Sequence, residues 1–293
     1  MTHYGFVTPN YGEYGDARTM ADLASLGEDC GWDAFFLWDH LQISLTHPTP
    51  MVDPWVALTA MAMTTTRIRL GTWVTPVARR RPWKLARETV SLDRLSGGRL
   101  ILGVGLGSPP DAEFAAFGEE PDMRIRAQKL DEGLAVLAGL WSGERFSFEG
   151  QHHHVEGAPF LPTPVQQPRI PVWVGGNWPN PGPFRRAARW DGVLPMLAGA
   201  PWDVVMSPAQ LADVVAFVDA ARSSSPLPAG EGGGEGRPYD VTLAGQTPSG
   251  GPAGAAVVAP YIEAGLTWWL EAGHHRRGTL ADTRARIQAG PPG

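Results

Sequence analysis

The sequence predicts an α/β chain folded as a single (β/α)8 TIM barrel over residues 1–293, and three observations lead there. Short β-rich runs alternate with longer segments of helical period, the pattern of parallel strands joined by crossover helices. Eight such pairs can be counted along the chain. With 43% hydrophobic residues in 293, there is enough apolar material for one large core.

The expected strands are HYGFVTP from His3, AFFLWD from Ala34, IRLGTWVTP from Ile68, RLILGVGLG from Arg99, IPVWVGG from Ile170, GVLPML from Gly192, YDVTLAGQ from Tyr239 and LTWWLEAG from Leu266. Helices are expected to begin near Asp16, Asp53, Arg81, Met123, Pro183, Ser207, Gly254 and Thr279. At Asp53-Pro54 and Ser207-Pro208, a proline stands at the first helical position behind a capping residue. From Met123 onward, Ile125, Leu130, Leu134, Leu137 and Leu140 recur at helical spacing and predict a buried stripe. Consecutive Trp268 and Trp269 must point to opposite faces of the last strand, and core packing is expected of both.

Two segments interrupt the rhythm. RFSFEGQHHHVEG alternates around Glu149-Gly150 and reads as a hairpin inserted before strand five. His152, His153 and His154 resemble a metal tract, but on a strand they would alternate in direction, so no metal site is expected. SSSPLPAGEGGGEGRP, residues 223–238, is a Pro/Gly-rich insertion before strand seven that cannot bury apolar area and is expected to be a flexible loop.

The formal charge of −6 is dispersed, with no basic stripe, which argues against nucleic acid and acidic membrane surfaces as partners. A lone Cys30 and the lack of a secretory-type N-terminus suit a soluble cytoplasmic protein, with Cys30 serving in helix packing.

Active sites of such barrels lie at the carboxyl ends of the strands, and here those ends are chemically uneven. The buried run AFFLWDH ends in Asp39 and His40, which read either as a capped strand end or as chemistry. Strand three closes with Thr72, Trp73 and Val74, strand four with Gly105, Leu106 and Gly107, and strand five with Gly175, Gly176 and Asn177. Glycines there admit a close ligand; Gly175-Gly176 reads as a tight turn that, with Arg185 and Arg186, would hold an anionic tail. GVGLG lacks the G-x-G-x-x-G spacing of a dinucleotide fold and instead suits a planar ring laid beside Trp73 and Val74.

The stretches GWDAFFLWDH, DPWVALTAMAMTTTRIRLGTWVTP, ETVSLDRLSGGRLILGVGLG, RAQKLDEGLAVLAGLWSG and PRIPVWVGG together resemble the bacterial-luciferase-like superfamily of flavin- and deazaflavin-dependent oxidoreductases. The resemblance covers nearly all eight units in the family's order. It implies a barrel that binds FMN, or alternatively coenzyme F420, at its carboxyl face. It further implies a bulge, often with a cis peptide, at Gly71 to Val74, so that Trp73 and Val74 prop the ring. The cofactor phosphate would lie at Gly175, Gly176 and Asn177, with Asp39 and His40 beside the ring.

In that reading His40 is the general acid or base, because an imidazole titrates near neutral pH, and Asp39 orients it or its neighbours. The family's deazaflavin sugar-phosphate dehydrogenases carry a tryptophan where this chain has Ser44 and a glutamate where it has Ser108. Glu113 is close enough to stand in, but a solvated helix position is expected of it. These departures favour a monooxygenase using reduced FMN from a separate flavin reductase on a small organic substrate. The alternatives are F420-dependent hydride transfer and a non-catalytic flavin-binding barrel. A metal-dependent hydrolase is disfavoured because the first strand lacks paired histidines. A homodimer is an implication of the resemblance alone.

Overall fold

The computed structural model describes residues 1–201, 203–224, 239–248, 250–274 and 278–292. Its strands are β1 (His3–Thr8), β2 (Ala34–Leu37), β3 (Arg69–Thr72), β4 (Thr75–Pro76), β5 (Leu100–Gly105), β6 (Phe146–Glu149), β7 (His154–Ala158), β8 (Val172–Trp178), β9 (Gly192–Leu197), β10 (Asp240–Gly245) and β11 (Trp268–Ala272). The helices are α1 (Ala17–Asp29), α2 (Pro54–Thr64), α3 (Pro82–Ser96), α4 (Pro110–Glu113), α5 (Met123–Trp141), α6 (Pro181–Ala187), α7 (Pro208–Ser224), α8 (Pro252–Glu263) and α9 (Leu280–Gln288). Eight parallel strands run β3-β2-β1-β11-β10-β9-β8-β5, and a β3–β5 pairing closes the ring. This is the (β/α)8 barrel that the alternating pattern predicts.

Helix starts follow local chemistry. The Asp16 carboxylate accepts from Thr19 N, that of Asp53 from Trp55 N and Val56 N, and that of Asp122 from Arg124 N and Ile125 N, each satisfying first-turn amides that have no helical partner. Thr279 and Asp282 form a reciprocal capping box on α9. The stripe on α5 buries Leu130, Leu134, Leu137 and Leu140.

Alternation along the strands divides the core in two. Phe35, Leu37 and Trp269 face the helices, whereas Val7, Ala34, Phe36, Ile101, Trp173, Leu194, Trp268 and Leu270 fill the barrel. Inside, Phe36 stacks on Trp173 at 5.2 Å and Trp173 meets Trp268 at 5.4 Å. Both indoles donate to Asp240, at 3.1 and 2.9 Å, so this aromatic plug has its polar edges satisfied. The interior of the barrel is therefore filled towards its amino-terminal end.

The hairpin before strand five is present as antiparallel β6 and β7, with Phe148 opposite Val155 and Glu149 opposite His154. Only His154 lies on a strand; His152 and His153 belong to the turn, where the Glu132 carboxylate accepts from the amides of Gln151, His152 and His153. The histidine tract is thus seated on α5 through its backbone. Of the Pro/Gly-rich stretch 223–238, Ser223 and Ser224 end α7, and residues 225–238 lie outside the described residues. Among the described residues, no helix is long and apolar enough to cross a membrane.

Candidate active site

Past the end of β2 the side chains continue to alternate. Trp38 packs with the residues of the barrel interior, and the His40 ring lies beside it at 5.7 Å, with Tyr11 at 5.9 Å. Asp39 points the other way and has no exposed side-chain surface. Its Oδ1 accepts from Arg79 Nη2 at 2.8 Å and Arg80 Nη2 at 2.7 Å, and its Oδ2 accepts from Thr75 Oγ1 at 2.9 Å. Asp39 is therefore committed to anchoring the two arginines that follow β4, and any effect it has on a ligand passes through them.

Glu113 corrects an expectation. Instead of standing in solvent, its side chain is fully buried, because α4 turns it inward against the residues that follow β2 and β4. Its Oε1 lies 2.7 Å from His40 Nδ1 and accepts from Leu41 N at 3.1 Å, while Oε2 pairs with Arg79 Nη1. The carboxylates of Asp39 and Glu113 and the guanidiniums of Arg79 and Arg80 thus pack together beside the histidine, with Glu88 a further 3.9 Å from Arg80 Nη1. Burial, opposed by Asp39 and assisted by Arg79, lowers the pKa of His40 from the ordinary 6.5 to about 4. His40 is neutral at neutral pH, although its side chain keeps 22% exposure.

The backbone of His40 is fixed from β1. Fully buried Asn10 donates through Nδ2 to His40 O at 2.8 Å and to Val52 O at 2.9 Å, and its Oδ1 accepts from His40 N at 3.2 Å. Val52 N returns a bond to Asn10 O at 3.0 Å. The excursion from Leu41 to Pro50 is thereby closed at its neck and carries exposed Leu41 and Leu45 outward.

Next to this group, the expected third strand divides into β3 and β4 around a cis Trp73-Val74 peptide. Thr72 Oγ1 donates to Gly103 O at 2.8 Å, tying the shelf to β5. A Cβ on Gly105 would stand 2.6 Å from Val74 Cγ2, and one on Gly175 would stand 3.3 Å from Val74 Cγ1. Val74 therefore rests on two glycines, part-exposed at the mouth with Trp73. Gly107 adopts φ +79°, a region that favours glycine, and with Leu106 it offers its carbonyl to Arg126 Nη1 at 2.9 and 2.8 Å.

The fifth expected strand end differs from the turn anticipated for it. β8 continues through Trp178, with Gly175 opposite Leu194 and Gly176 opposite Pro195, because β9 extends equally far and keeps the ladder going. Gly176 packs against Pro183, and Asn177 alone of the three is exposed. Arg186 is buried and bound by Asp131, its Nε at 2.6 Å from Oδ1 and its Nη2 at 2.7 Å from Oδ2, which removes it from any anionic-tail site. Arg185 is exposed on α6.

The structure thus brings His40, Trp73, Val74 and Gly105 to one mouth. Sequence reasoning missed Asn10, Thr75, Arg79 and Arg80. The run Arg79-Arg80-Arg81, directly behind a strand end opposite Asp39, was the available signal for an ion-paired cluster. A cleft of about 190 Å³ between His3, Asp33, Arg67 and Trp268 lies at the other end of the barrel, away from these groups.

A sequence profile described as luciferase-like monooxygenase matches residues 2–223. An F420-dependent glucose-6-phosphate dehydrogenase of Microbacterium testaceum is 34% identical over 163 residues, covering 55% of this chain and 47% of that protein. One from Kineococcus radiotolerans is 35% identical over 182 residues, covering 60% and 51%. The chain spans about half the length of these curated relatives. Among solved structures, an F420-dependent secondary alcohol dehydrogenase with an F420-acetone adduct gives a TM-score of 0.77 at 15% identity, covering 99% of this chain and 98% of that one. A monooxygenase from Streptomyces bottropensis gives 0.74 at 19% identity, covering 98% and 97%. The structural likenesses establish a shared fold, and the profile match, over more than half of the sequence, establishes kinship: the chain belongs to the luciferase-like monooxygenase family.

Proposed function

We propose that this barrel binds coenzyme F420 at its carboxyl face and serves hydride transfer between the deazaflavin and a small alcohol or its carbonyl counterpart. The observation that carries the reading is His40, a part-exposed imidazole held neutral in the same mouth as the Trp73-Val74 shelf. A neutral imidazole there is suited to take a hydroxyl proton.

The residues present fit a flat ring. Val74 is kept low by Gly105 and Gly175, so the Trp73-Val74 peptide offers a shelf that any side chain at those glycines would displace. Exposed Asn177 is available to a polar tail. When bound, the deazaflavin supplies the two-electron hydride chemistry. Oxidising a carbinol then removes a hydride from carbon and a proton from oxygen; His40 Nε2 receives the proton and releases it to water along its exposed edge.

Support for F420 over FMN comes from the curated relatives, which are named F420-dependent dehydrogenases. The preference for FMN drawn from Ser44 and Ser108 is outweighed by these names. The test is a fluorescence titration of the apoprotein with F420 and FMN in both redox states, followed by anaerobic turnover with alcohols. Selective F420 binding with alcohol-dependent reduction is expected. Selective binding of reduced FMN with substrate-dependent oxygen uptake would replace this reading with a reductase-fed monooxygenase.

A further inference from the structure

We propose that Glu113 is the positioning residue for His40: held by Arg79, its carboxylate fixes the imidazole as the Nδ1–H tautomer and leaves Nε2 as the proton acceptor. This rests on the reading of His40 as the proton-handling residue, and it assigns a role to a side chain for which the sequence suggests a solvated helix position.

The geometry leaves Glu113 no other work. Its Oε1 meets His40 Nδ1 at 2.7 Å and Leu41 N at 3.1 Å; its Oε2 meets Arg79 Nη1 and also Leu41 N, at 3.3 Å. With no exposed surface, it cannot itself reach a substrate. Ion pairing to Arg79 keeps it a carboxylate, and a carboxylate only accepts hydrogen bonds. The proton between the two groups therefore sits on Nδ1. A neutral imidazole carries one ring proton, so Nε2 presents its lone pair, and no described residue occupies it.

The groups around His40 come from several elements. Among the described residues, Asp39 is its neighbour in the chain, Arg79 and Arg80 come from the segment after β4 with Glu88 behind Arg80, Glu113 comes from α4, and the rings of Tyr11 and Trp38 lie beside it. Neutral at rest, the ring keeps at Nε2 the lone pair through which it can take a proton from a hydroxyl.

The test needs no cofactor. Long-range nitrogen–proton NMR of the histidine-labelled apoprotein at pH 7, with His40 assigned by the signal lost in His40→Gln, reads the tautomer directly. The expected spectrum is Nδ1–H with an unprotonated Nε2. In Glu113→Gln, the Arg79 guanidinium should draw the amide oxygen and turn the NH2 towards His40, inverting the tautomer. In the loaded enzyme that variant should lose ~100-fold or more in kcat with KM changed less than about threefold, and Glu113→Asp should restore part of the loss. A wild-type His40 that is Nε2–H or charged overturns the proposal, as does an unchanged tautomer in Glu113→Gln. If that variant fails to fold, the wild-type spectrum decides alone. An Nδ1–H His40 in a protein inert towards F420 would overturn the hydride-transfer reading and leave this one standing, whereas an Nε2–H His40 in an active enzyme would do the reverse.

Discussion

The Nη2 atom of Arg80 lies 2.7 Å from Asp39 Oδ1 and 2.8 Å from Oδ2, so one guanidinium nitrogen bridges both oxygens of a carboxylate that has no exposed surface. Arg79 adds a bond from Nη2 to Oδ1 at 2.8 Å. Removing Asp39 would take from two buried or part-buried guanidiniums the carboxylate they share, leaving Arg79 to Glu113 and Arg80 to Glu88 at 3.9 Å. Asp39→Ala is expected to cost ~3–5 kcal/mol of stability, the range for breaking a buried pair by deleting one partner. Urea denaturation measures it, and a loss below about 1 kcal/mol would assign the carboxylate little part in holding the arginines.

Gly105→Ala probes the shelf. The new methyl would meet Val74 Cγ2 at 2.6 Å, so Val74 has to lift or the strands have to part. An overpacking cost of ~1–3 kcal/mol is expected, together with weaker binding of the ring. Fluorescence titration beside a thermal melt separates the two effects. Unchanged ring affinity in a destabilised variant would detach Val74 from binding.

His40 makes stability depend on pH in a definite direction. Its pKa falls from 6.5 in the unfolded chain to about 4 in the folded one, so the unfolded state binds the proton more readily between those values. Above pH 6.5 the group is neutral in both states and contributes no slope. As pH falls from 6.5 towards 4, stability should drop by ~3 kcal/mol. A His40→Gln variant should lack that part of the slope when denaturation midpoints are compared across the window.

Glu28 supplies the contrast at the opposite end of the barrel. Burial pushes its pKa upward, but bonds from Ile68 N, Arg67 N, Thr66 N and Thr66 Oγ1 outweigh that push and hold it at about 2. Its stabilisation is present above the ordinary 4.5 and is lost as pH falls towards 2. Glu28→Ala should lower stability by ~1–3 kcal/mol, the cost of orphaned donors, and leave ligand affinity unaltered. A change in affinity would reveal coupling between the two ends.

What could be read from the sequence was what local chemistry decides. Asp53-Pro54 and Thr279 mark helix starts because capping is a matter of adjacent residues, and Trp268 and Trp269 take opposite faces because a strand has period two. Glu113 escaped because four-residue α4 shows no periodicity, and its burial depends on segments 72 and 34 residues away. Arg79 and Arg80 look solvated in a run of three arginines until Asp39 arrives from another strand end. Gly175-Gly176 reads as a turn, yet a long β9 partner kept it in the ladder. In each case a residue distant in sequence decided the outcome.

Asn10 separates a fixed point from a free length in this scaffold. Its amide grips both His40 and Val52, so the chain between them leaves and returns at a fixed point. Residues 42–50 can lengthen, shorten or be exchanged wholesale without dragging the histidine out of register. The position of the imidazole is thereby uncoupled from the length of the chain that follows it.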